Sequence, residues 1–537
     1  MSRRGWRRAA ASRLLLAAVL LGCAAAHAGD DYRHVLQPGE TLIGISGQLL
    51  ERPANWPTLQ RLNRIADPYH MLPGSVISIP VALLRREPVD ARIAASKGDV
   101  RRDGQPVAAG DVVRQGDPLS TGEQSFATVE LVDGSRLVLQ PSTRLRVERM
   151  VRVRGTTQTE TRLHLDQGRV ESSVSKSPSG QPHFRIDTPG ATVGVRGTEF
   201  RVAEGDGPTR AEVSEGTVAV AGSKRRVATD VAAGYGLVVE SGHSLVPVAL
   251  LPPPDLSGLP PLQERTIVRV SLPAIPEARA YRIQIAADRQ MRDIRADALT
   301  DKPEAKFAGL PDGDYTLRAR AIDANGLEGR DADFPFRLKA HPEPPFVIAP
   351  TANAKLRAET AAFSWSSASE AARYRLQLAA DAGFAAPLAD IDAIDGTAIV
   401  PAKKLAPGEY WWRIRSLRAD GDAGPWGDTH HFILKPLPAN PDPPMIDDQE
   451  LHFAWSAEPG QTFLFQFARD DGFTDLQSEQ TLDHPTATVP RPAGGSYFMR
   501  VRATDPDGFV GPFTSTQRIA VPAKPPWWLL IMLLPVL

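Results

Sequence analysis

The chain repeats itself. Tyr281-Arg282-Ile283-Gln284-Ile285-Ala286 returns as Tyr374-Arg375-Leu376-Gln377-Leu378-Ala379 and, more loosely, as Phe463-Leu464-Phe465-Gln466-Phe467-Ala468. A second phrase follows each copy: Gly313-Asp314-Tyr315 with Arg318, Arg320 and Gly326, then Gly408-Glu409-Tyr410 with Arg413, Arg415 and Gly421, then Gly495-Ser496-Tyr497 with Arg500, Arg502 and Gly508. A period of about 90 residues means that one folding unit is used three times, which removes most other architectures for this half of the chain. Alternation of apolar and polar residues, as in Tyr410-Trp411-Trp412-Arg413-Ile414-Arg415, predicts half-buried antiparallel strands. Each tyrosine of the second phrase follows a Gly-containing turn at the start of a late strand, where its hydroxyl reaches back to the preceding loop as a tyrosine corner. The Arg-x-Arg pairs are expected on the solvent face of their strands, without a ligand-binding role.

Trp365 in Phe363-Ser364-Trp365-Ser366 and Trp455 in Phe453-Ala454-Trp455-Ser456 fall on early strands, where a tryptophan fills the space between two sheets. With these residues the repeats resemble fibronectin type III domains, which implies tandem antiparallel β-sandwiches at 263–339, 346–435 and 445–521, acting as spacers or interaction surfaces. The first copy lacks the tryptophan. Proline-rich breaks at 246–262, at His341-Pro342-Glu343-Pro344-Pro345 and between Pro436 and Pro444 read as extended linkers. At 537 residues the chain has room for three to five domains by the usual prior of about 150 residues each. Its formal net charge of -1 provides no global field for nucleic acid, so partners must be read from local sites.

The two ends carry signals of a different kind. Residues 1–28 have the three parts of an export signal: Arg3, Arg4, Arg7, Arg8 and Arg13, an apolar run from Leu14 to Leu21, and Ala26-His27-Ala28. The apolar run is roughly half the ~20 residues that a spanning helix requires. Cys23 is the single cysteine, so no intrachain disulfide forms. Leu20-Leu21-Gly22-Cys23 resembles a lipobox, which makes Cys23 a candidate lipidation site in competition with ordinary cleavage after Ala28. Residues 525–537 form an apolar tail behind Trp527-Trp528, too short to cross a bilayer as a helix but suited to a membrane interface. Packing of this tail on the last sandwich is the alternative.

Between residues 32 and 80 the pattern is strand, helix, helix, strand. A strand ends at Pro38-Gly39, Thr41 is placed to cap a helix running to Leu50, Trp56, Leu59 and Leu62 share one face of a second helix, and Leu72-Pro73-Gly74 turns into Val76-Ile77-Ser78-Ile79-Pro80. Pro38-Gly39-Glu40-Thr41-Leu42, Trp56-Pro57, Leu62-Asn63 and Pro73-Gly74-Ser75-Val76-Ile77-Ser78-Ile79-Pro80 together resemble the LysM family. That resemblance implies binding of N-acetylglucosamine-containing glycan, mainly peptidoglycan, in a shallow groove. The residues it implicates are Gly39, Glu40, Thr41 and Leu42 on one side and Pro68, Tyr69, His70, Met71 and Leu72 on the other. A LysM fold turned to protein docking is the alternative.

Residues 81–97 read as a linker, either a short helix or a spacer, and 98–245 as an all-β domain of short strands. Asp133-Gly134 between two apolar runs predicts a tight hairpin in which both residues take positive φ. Gly116-Asp117-Pro118-Leu119-Ser120-Thr121-Gly122, Leu131-Val132-Asp133-Gly134-Ser135, Thr188-Pro189-Gly190-Ala191-Thr192-Val193-Gly194-Val195-Arg196-Gly197-Thr198-Glu199-Phe200 and Glu215-Gly216-Thr217-Val218 resemble the FecR family. The resemblance implies a periplasmic domain that relays a receptor signal to an extracytoplasmic sigma factor. Named members do so through a cytoplasmic segment and a membrane helix ahead of this domain, and neither is recognisable here. In Gly194-Val195-Arg196-Gly197-Thr198, either Arg196 contacts a partner from a surface loop or the glycines permit a tight crossover in which Arg196 bridges to an internal acid.

No nucleophile elbow, phosphate-binding loop or metal-binding helix motif is present, and the adjacent His430 and His431 point to opposite faces of a strand. No catalytic residue, metal site or cofactor is therefore expected. The whole is expected to be a mainly β multidomain envelope protein: a small βααβ module, an all-β domain and tandem sandwiches. Its expected role is that of an exported scaffold or sensor that binds peptidoglycan and an envelope protein, in the periplasm or attached to a membrane. Relay of an envelope signal to a membrane partner is the alternative.

Overall fold

The computed structural model describes residues 31–176, 183–205, 207–223, 227–240, 243–358 and 360–524. The export signal with Cys23 and the tail 525–537 lie outside them. The fold is mainly β, in many sheets, with its two α-helices near the N-terminus. The described chain divides into two compact units: residues up to Gln263 together with Ile267–Leu338, and Glu264–Thr266 together with Lys339 onward.

The first unit opens with strands Asp31–Val35 and Val76–Pro80, paired antiparallel around helices Leu42–Leu49 and Trp56–Leu62. Thr41 caps the first helix by accepting from the Gly44 amide at 3.1 Å. Asn63 closes the second: its side chain donates to the Ser78 carbonyl at 2.8 Å and accepts from the Ser78 amide at 2.7 Å, fixing the helix to the last strand. Leu59 is buried, but Leu62 is exposed, because the helix ends there and its last turn points outward.

Residues 81–97 are not a linker. Arg86–Pro88 and Ala91–Lys97 are strands of the following barrel, paired with Val151–Val153 and with Phe126–Glu130. Leu84 and Val153, both fully buried, lie in the same apolar cluster as Leu42, Ile45, Leu59 and Ile79 of the N-terminal module. Leu50 bridges to Leu84, the Arg85 amide donates to the Leu49 carbonyl at 2.7 Å, and the Tyr32 ring lies over Gly155. Val153 of the barrel thus completes the module's core, which is separate from the barrel's own.

The barrel is closed and runs through strands from Arg86 to Ala249 around a core dominated by Val, Leu, Ile and Ala. Its long strands Arg144–Val153 and Thr159–Ser173 pair with each other along most of their length. At Asp133-Gly134 only Gly134 has positive φ, +81°, and the Leu131 amide donates to the Ser135 carbonyl at 2.8 Å. The turn is therefore the longer type with one left-handed residue. Gly168, at φ +97°, could not carry a side chain, since a Cβ would come within 2.4 Å of the Thr143 backbone.

Each repeat is a sandwich. In the first, Leu262–Gln263, Ala332–Leu338, Gly313–Ile322, Ala280–Ala286 and Ile294–Thr300 form one sheet, and Val268–Ser271 pairs with Glu304–Phe307 in the other. The second unit holds two more copies, each with a large and a three-stranded sheet. Trp365 and Trp455 are buried between their sheets. The three tyrosine corners form as expected: Tyr315, Tyr410 and Tyr497 donate to the carbonyls of Pro311, Ala406 and Ala493 at 2.7, 2.7 and 2.9 Å. Within 246–262, Val248–Ala249 is a barrel strand and Leu250 and Leu256 are buried, so much of this proline-rich stretch is packed chain.

Candidate functional site

The two loops of the N-terminal module named for glycan lie side by side, the Leu42 amide donating to the Pro68 carbonyl at 3.0 Å. Gly39 turns the first loop at φ +85°. Glu40 accepts from the Gln37 amide and from His34 Nε2, each at 2.8 Å, and these contacts hold its carboxyl below the ordinary value. Thr41 is spent on its cap. The Leu42 side chain is wholly buried, so only its backbone faces the second loop. In that loop Asp67 accepts from the Tyr69 amide and from His70 Nδ1, at 2.9 and 2.8 Å, and both bonds lower its pKa. Met71 packs on the core, while Tyr69 and Leu72 are 61% and 79% exposed. An aromatic ring and an aliphatic side chain beside a ridge of backbone amides can cover a sugar face and bond an acetamido group.

Arg196 is exposed and makes no ion pair among the described residues, so it does not bridge to an internal acid. The glycines around it do have a packing reason. A Cβ on Gly197 would meet the Lys176 backbone at 2.5 Å, and one on Gly216 would meet Thr198 at 2.6 Å. The loop is a tight crossover that leaves the guanidinium free at the surface.

The largest polar constellation was not foreseen. Between the barrel and the first sandwich, Arg320 is 1% exposed. Its two terminal nitrogens hold both oxygens of Glu171 at 2.7 and 2.9 Å, and one of them also reaches Glu328 at 2.9 Å, while Nε binds Asp331. Arg201 of the barrel donates to Asp331 at 2.8 Å and to the carbonyls of Glu328 and Gly329 at 2.9 and 2.8 Å. Arg169 pairs with Glu212 at 3.1 Å and with Glu328 at 3.4 Å, and Arg282 with Glu328 at 2.8 Å and Asp297 at 2.9 Å. Gln284 donates to Gln140 at 2.9 Å.

Burial alone would raise the Glu328 carboxyl, but Arg169, Arg282, Arg320 and Arg201 outweigh it and hold it well below its ordinary value. Burial likewise acts against the charge on Arg320, and Asp331, Glu171 and Glu328 more than restore it. An ion network this dry fixes relative position, since its buried charges find their partners only with both surfaces in place; Arg201 Nε alone of the Arg201 nitrogens has no hydrogen bond, lying 3.6 Å from Glu212. The expectation of solvent-facing Arg-x-Arg pairs fails here. The sequence does hold a signal for it. Glu328 and Asp331 stand where the second repeat has Ala423 and Trp426 and the third has Val510 and Phe513, a change from apolar to acidic that follows the buried arginine. Beside the network a cavity of about 240 Å³ is bordered by Arg136, Glu199, Ser214, Arg289 and Arg318.

Among the described residues no group of three His, Cys, Asp or Glu is placed to hold a metal ion, and no helix is long and apolar enough to cross a membrane. A search of curated proteins finds no match. Among solved structures, a proposed anti-sigma factor from Parabacteroides distasonis ATCC 8503 aligns at 18% identity and a TM-score of 0.21, over 25% of this chain and 59% of its own. The chicken CNTN1 FN1–FN3 domains align at 15% identity and a TM-score of 0.21, over 51% of this chain and 100% of theirs. Neither likeness bears on activity at these values. The stretch with a family identity lies in the barrel: residues 117–219 match the FecR protein family, so the chain carries a FecR domain.

Proposed function

We propose that this protein is a non-enzymatic cell-envelope scaffold or sensor that is held to peptidoglycan by its N-terminal module and offers its FecR domain and sandwiches to protein partners. The observation that carries the wall contact is the juxtaposition of the two loops, with Tyr69 and Leu72 exposed beside the Leu42–Pro68 backbone bond. One shallow site of this kind gives modest affinity, which suits an address on the wall. The FecR match supports a second reading, relay of an envelope signal to a membrane partner, in which the barrel is the receiving surface and Arg196 an exposed contact. Export, with or without acylation at Cys23, belongs to both readings.

Titration of the full chain with soluble N-acetylglucosamine oligomers tests the wall contact. Saturable binding is expected, weakened at least fivefold by Tyr69→Ala with Leu72→Ala and unaffected by Arg196→Ala. Absence of binding by the wild type would remove the glycan contact and leave the protein-docking alternative. The relay reading predicts the reverse partition, with Arg196→Ala altering the downstream response and Tyr69→Ala leaving it intact.

A further inference from the structure

The three sandwiches present the same face in three chemical versions. In the large sheet of each, the early strand pairs with the late strand in one register: Arg282 opposite Arg320 and Gln284 opposite Arg318 in the first, Arg375 opposite Arg415 and Gln377 opposite Arg413 in the second, Leu464 opposite Arg502 and Gln466 opposite Arg500 in the third. On the neighbouring edge strand an acid faces each glutamine: Asp297, Asp390 and Glu479. In the first sandwich this face is a docking face. Arg320 takes the barrel's Glu171, Gln284 takes Gln140, and Arg282 and Arg320 share Glu328, which in turn meets Arg169.

The second and third sandwiches keep the late-strand arginines and the edge-strand acids Asp390 and Glu479, but have apolar residues where the first has Glu328 and Asp331. Arg413 lies 4.2 Å from the Phe384 ring and 4.6 Å from Trp426, and Arg415 lies 4.5 Å from Trp426. Arg500 lies 3.9 Å from Phe473 and 4.1 Å from Phe513, with Arg502 5.0 Å from Phe513. None of these four guanidinium groups pairs with a carboxylate among the described residues, and Arg415 Nε is buried without a hydrogen-bond partner. Stacking on a ring orients a guanidinium; Arg413 also donates to Gln377 Oε1 at 2.9 and 2.7 Å and Arg500 to Gln466 Oε1 at 2.7 Å, which leaves their remaining N–H groups for an anion. Burial depresses Arg413, Arg415 and Arg500 from their usual value, where Arg320 is raised by its acids.

We propose that the Arg413–Arg415 face of the second sandwich, with Arg500 and Arg502 as its counterpart in the third, docks a protein surface bearing clustered carboxylates, as the equivalent face of the first sandwich docks Glu171 of the barrel. A protein carboxylate is favoured over a phosphate polymer because this chain already shows that pairing on the same scaffold. The proposal refines the scaffold reading by naming a surface, and it does not depend on the glycan contact.

Poly-L-glutamate is the probe, titrated against the full-length protein at low salt, with inorganic polyphosphate in parallel. Wild type is expected to bind the polyglutamate in a salt-sensitive manner. Arg413→Glu with Arg415→Glu should weaken it at least tenfold, Arg500→Glu with Arg502→Glu should weaken it several-fold, and Lys403→Glu with Lys404→Glu should leave it unchanged. The neutral pair Arg413→Gln with Arg415→Gln guards against misfolding, since it should lose binding while still unfolding cooperatively, with a melting temperature lowered only by the few degrees that loss of the ring stacks costs. No binding by wild type, equal loss in the lysine control, or full binding by the arginine variants would overturn the proposal. So would polyphosphate binding tenfold tighter than polyglutamate with the same sensitivity to the arginine variants, which would reassign the face to a phosphate polymer.

Discussion

Arg320 and Arg415 occupy equivalent places on equivalent strands, and neutral replacement separates two uses of a guanidinium. Arg320→Met leaves Glu171, Glu328 and Asp331 short of their counter-charge in a buried setting, a loss of about 3–5 kcal/mol. Arg415→Met gives up a half-buried stack on Trp426, worth about 1 kcal/mol. Denaturant unfolding of the two variants should show that contrast, and equal losses would mean that the network is not the joint described. Asp505 supplies a pH dependence of its own. Burial acts to raise it, but hydrogen bonds from Lys435, Gln461 and Arg357 bring it down to about 2 from 3.8. A carboxyl lowered on folding stabilises fully above its unfolded value and loses that contribution as pH falls through its folded value. Melting of the second unit should therefore be flat above about pH 5 and fall between pH 4 and 2, with Asp505→Asn reducing that fall.

Among elements, the short stretch around Leu84 joins the N-terminal module to the barrel. Leu84→Ala opens a cavity in a core drawn from both and should cost about 2–5 kcal/mol. Hydrogen exchange should then show amides of Leu42–Leu49 and of Val151–Val153 losing protection together; loss in the module alone would contradict the part that Val153 plays in the module's core. This joint was hidden in the sequence because 81–97 is polar and charged and carries no strong turn signal, so that it reads as a short helix or a spacer and not as the strands it forms. What was legible had a local cause: the Thr41 cap, the tyrosine corners, the buried Trp365 and Trp455, the period-two strands. The face of Arg318 and Arg320 was not legible within its own strand, since alternation says which side a residue points to but not what covers that side. Of the acids that meet Arg320, Glu171 lies 149 residues away on a barrel strand, while Glu328 and Asp331 follow it by 8 and 11 residues. Comparison across the repeats at Glu328 and Asp331 was the one route to it. The loops at 39–42 and 68–72 were named from a family resemblance, whereas the burial of Leu42 follows from the cap before it, which turns the first helical side chain into the core.

On the scale of the whole molecule, module, FecR domain and first sandwich form one compact unit, joined by the Leu84–Val153 core on one side and the arginine–carboxylate network on the other. A contact made by the module is thereby tied to the barrel through packed chain in place of a flexible tether, which is what a sensor of the wall requires. The second unit repeats the sandwich with its arginines turned from internal ion pairs to aromatic stacks, a change from joint to surface. The wall contact proposed for residues 39–42 and 68–72 governs where the whole molecule is held. Co-sedimentation of the purified full-length protein with isolated sacculi tests it directly. Wild type and Arg413→Glu with Arg415→Glu are both expected to sediment, while Tyr69→Ala with Leu72→Ala stays in solution; sedimentation of the Tyr69/Leu72 variant to the same extent as wild type, or no sedimentation of wild type, would rule the wall contact out.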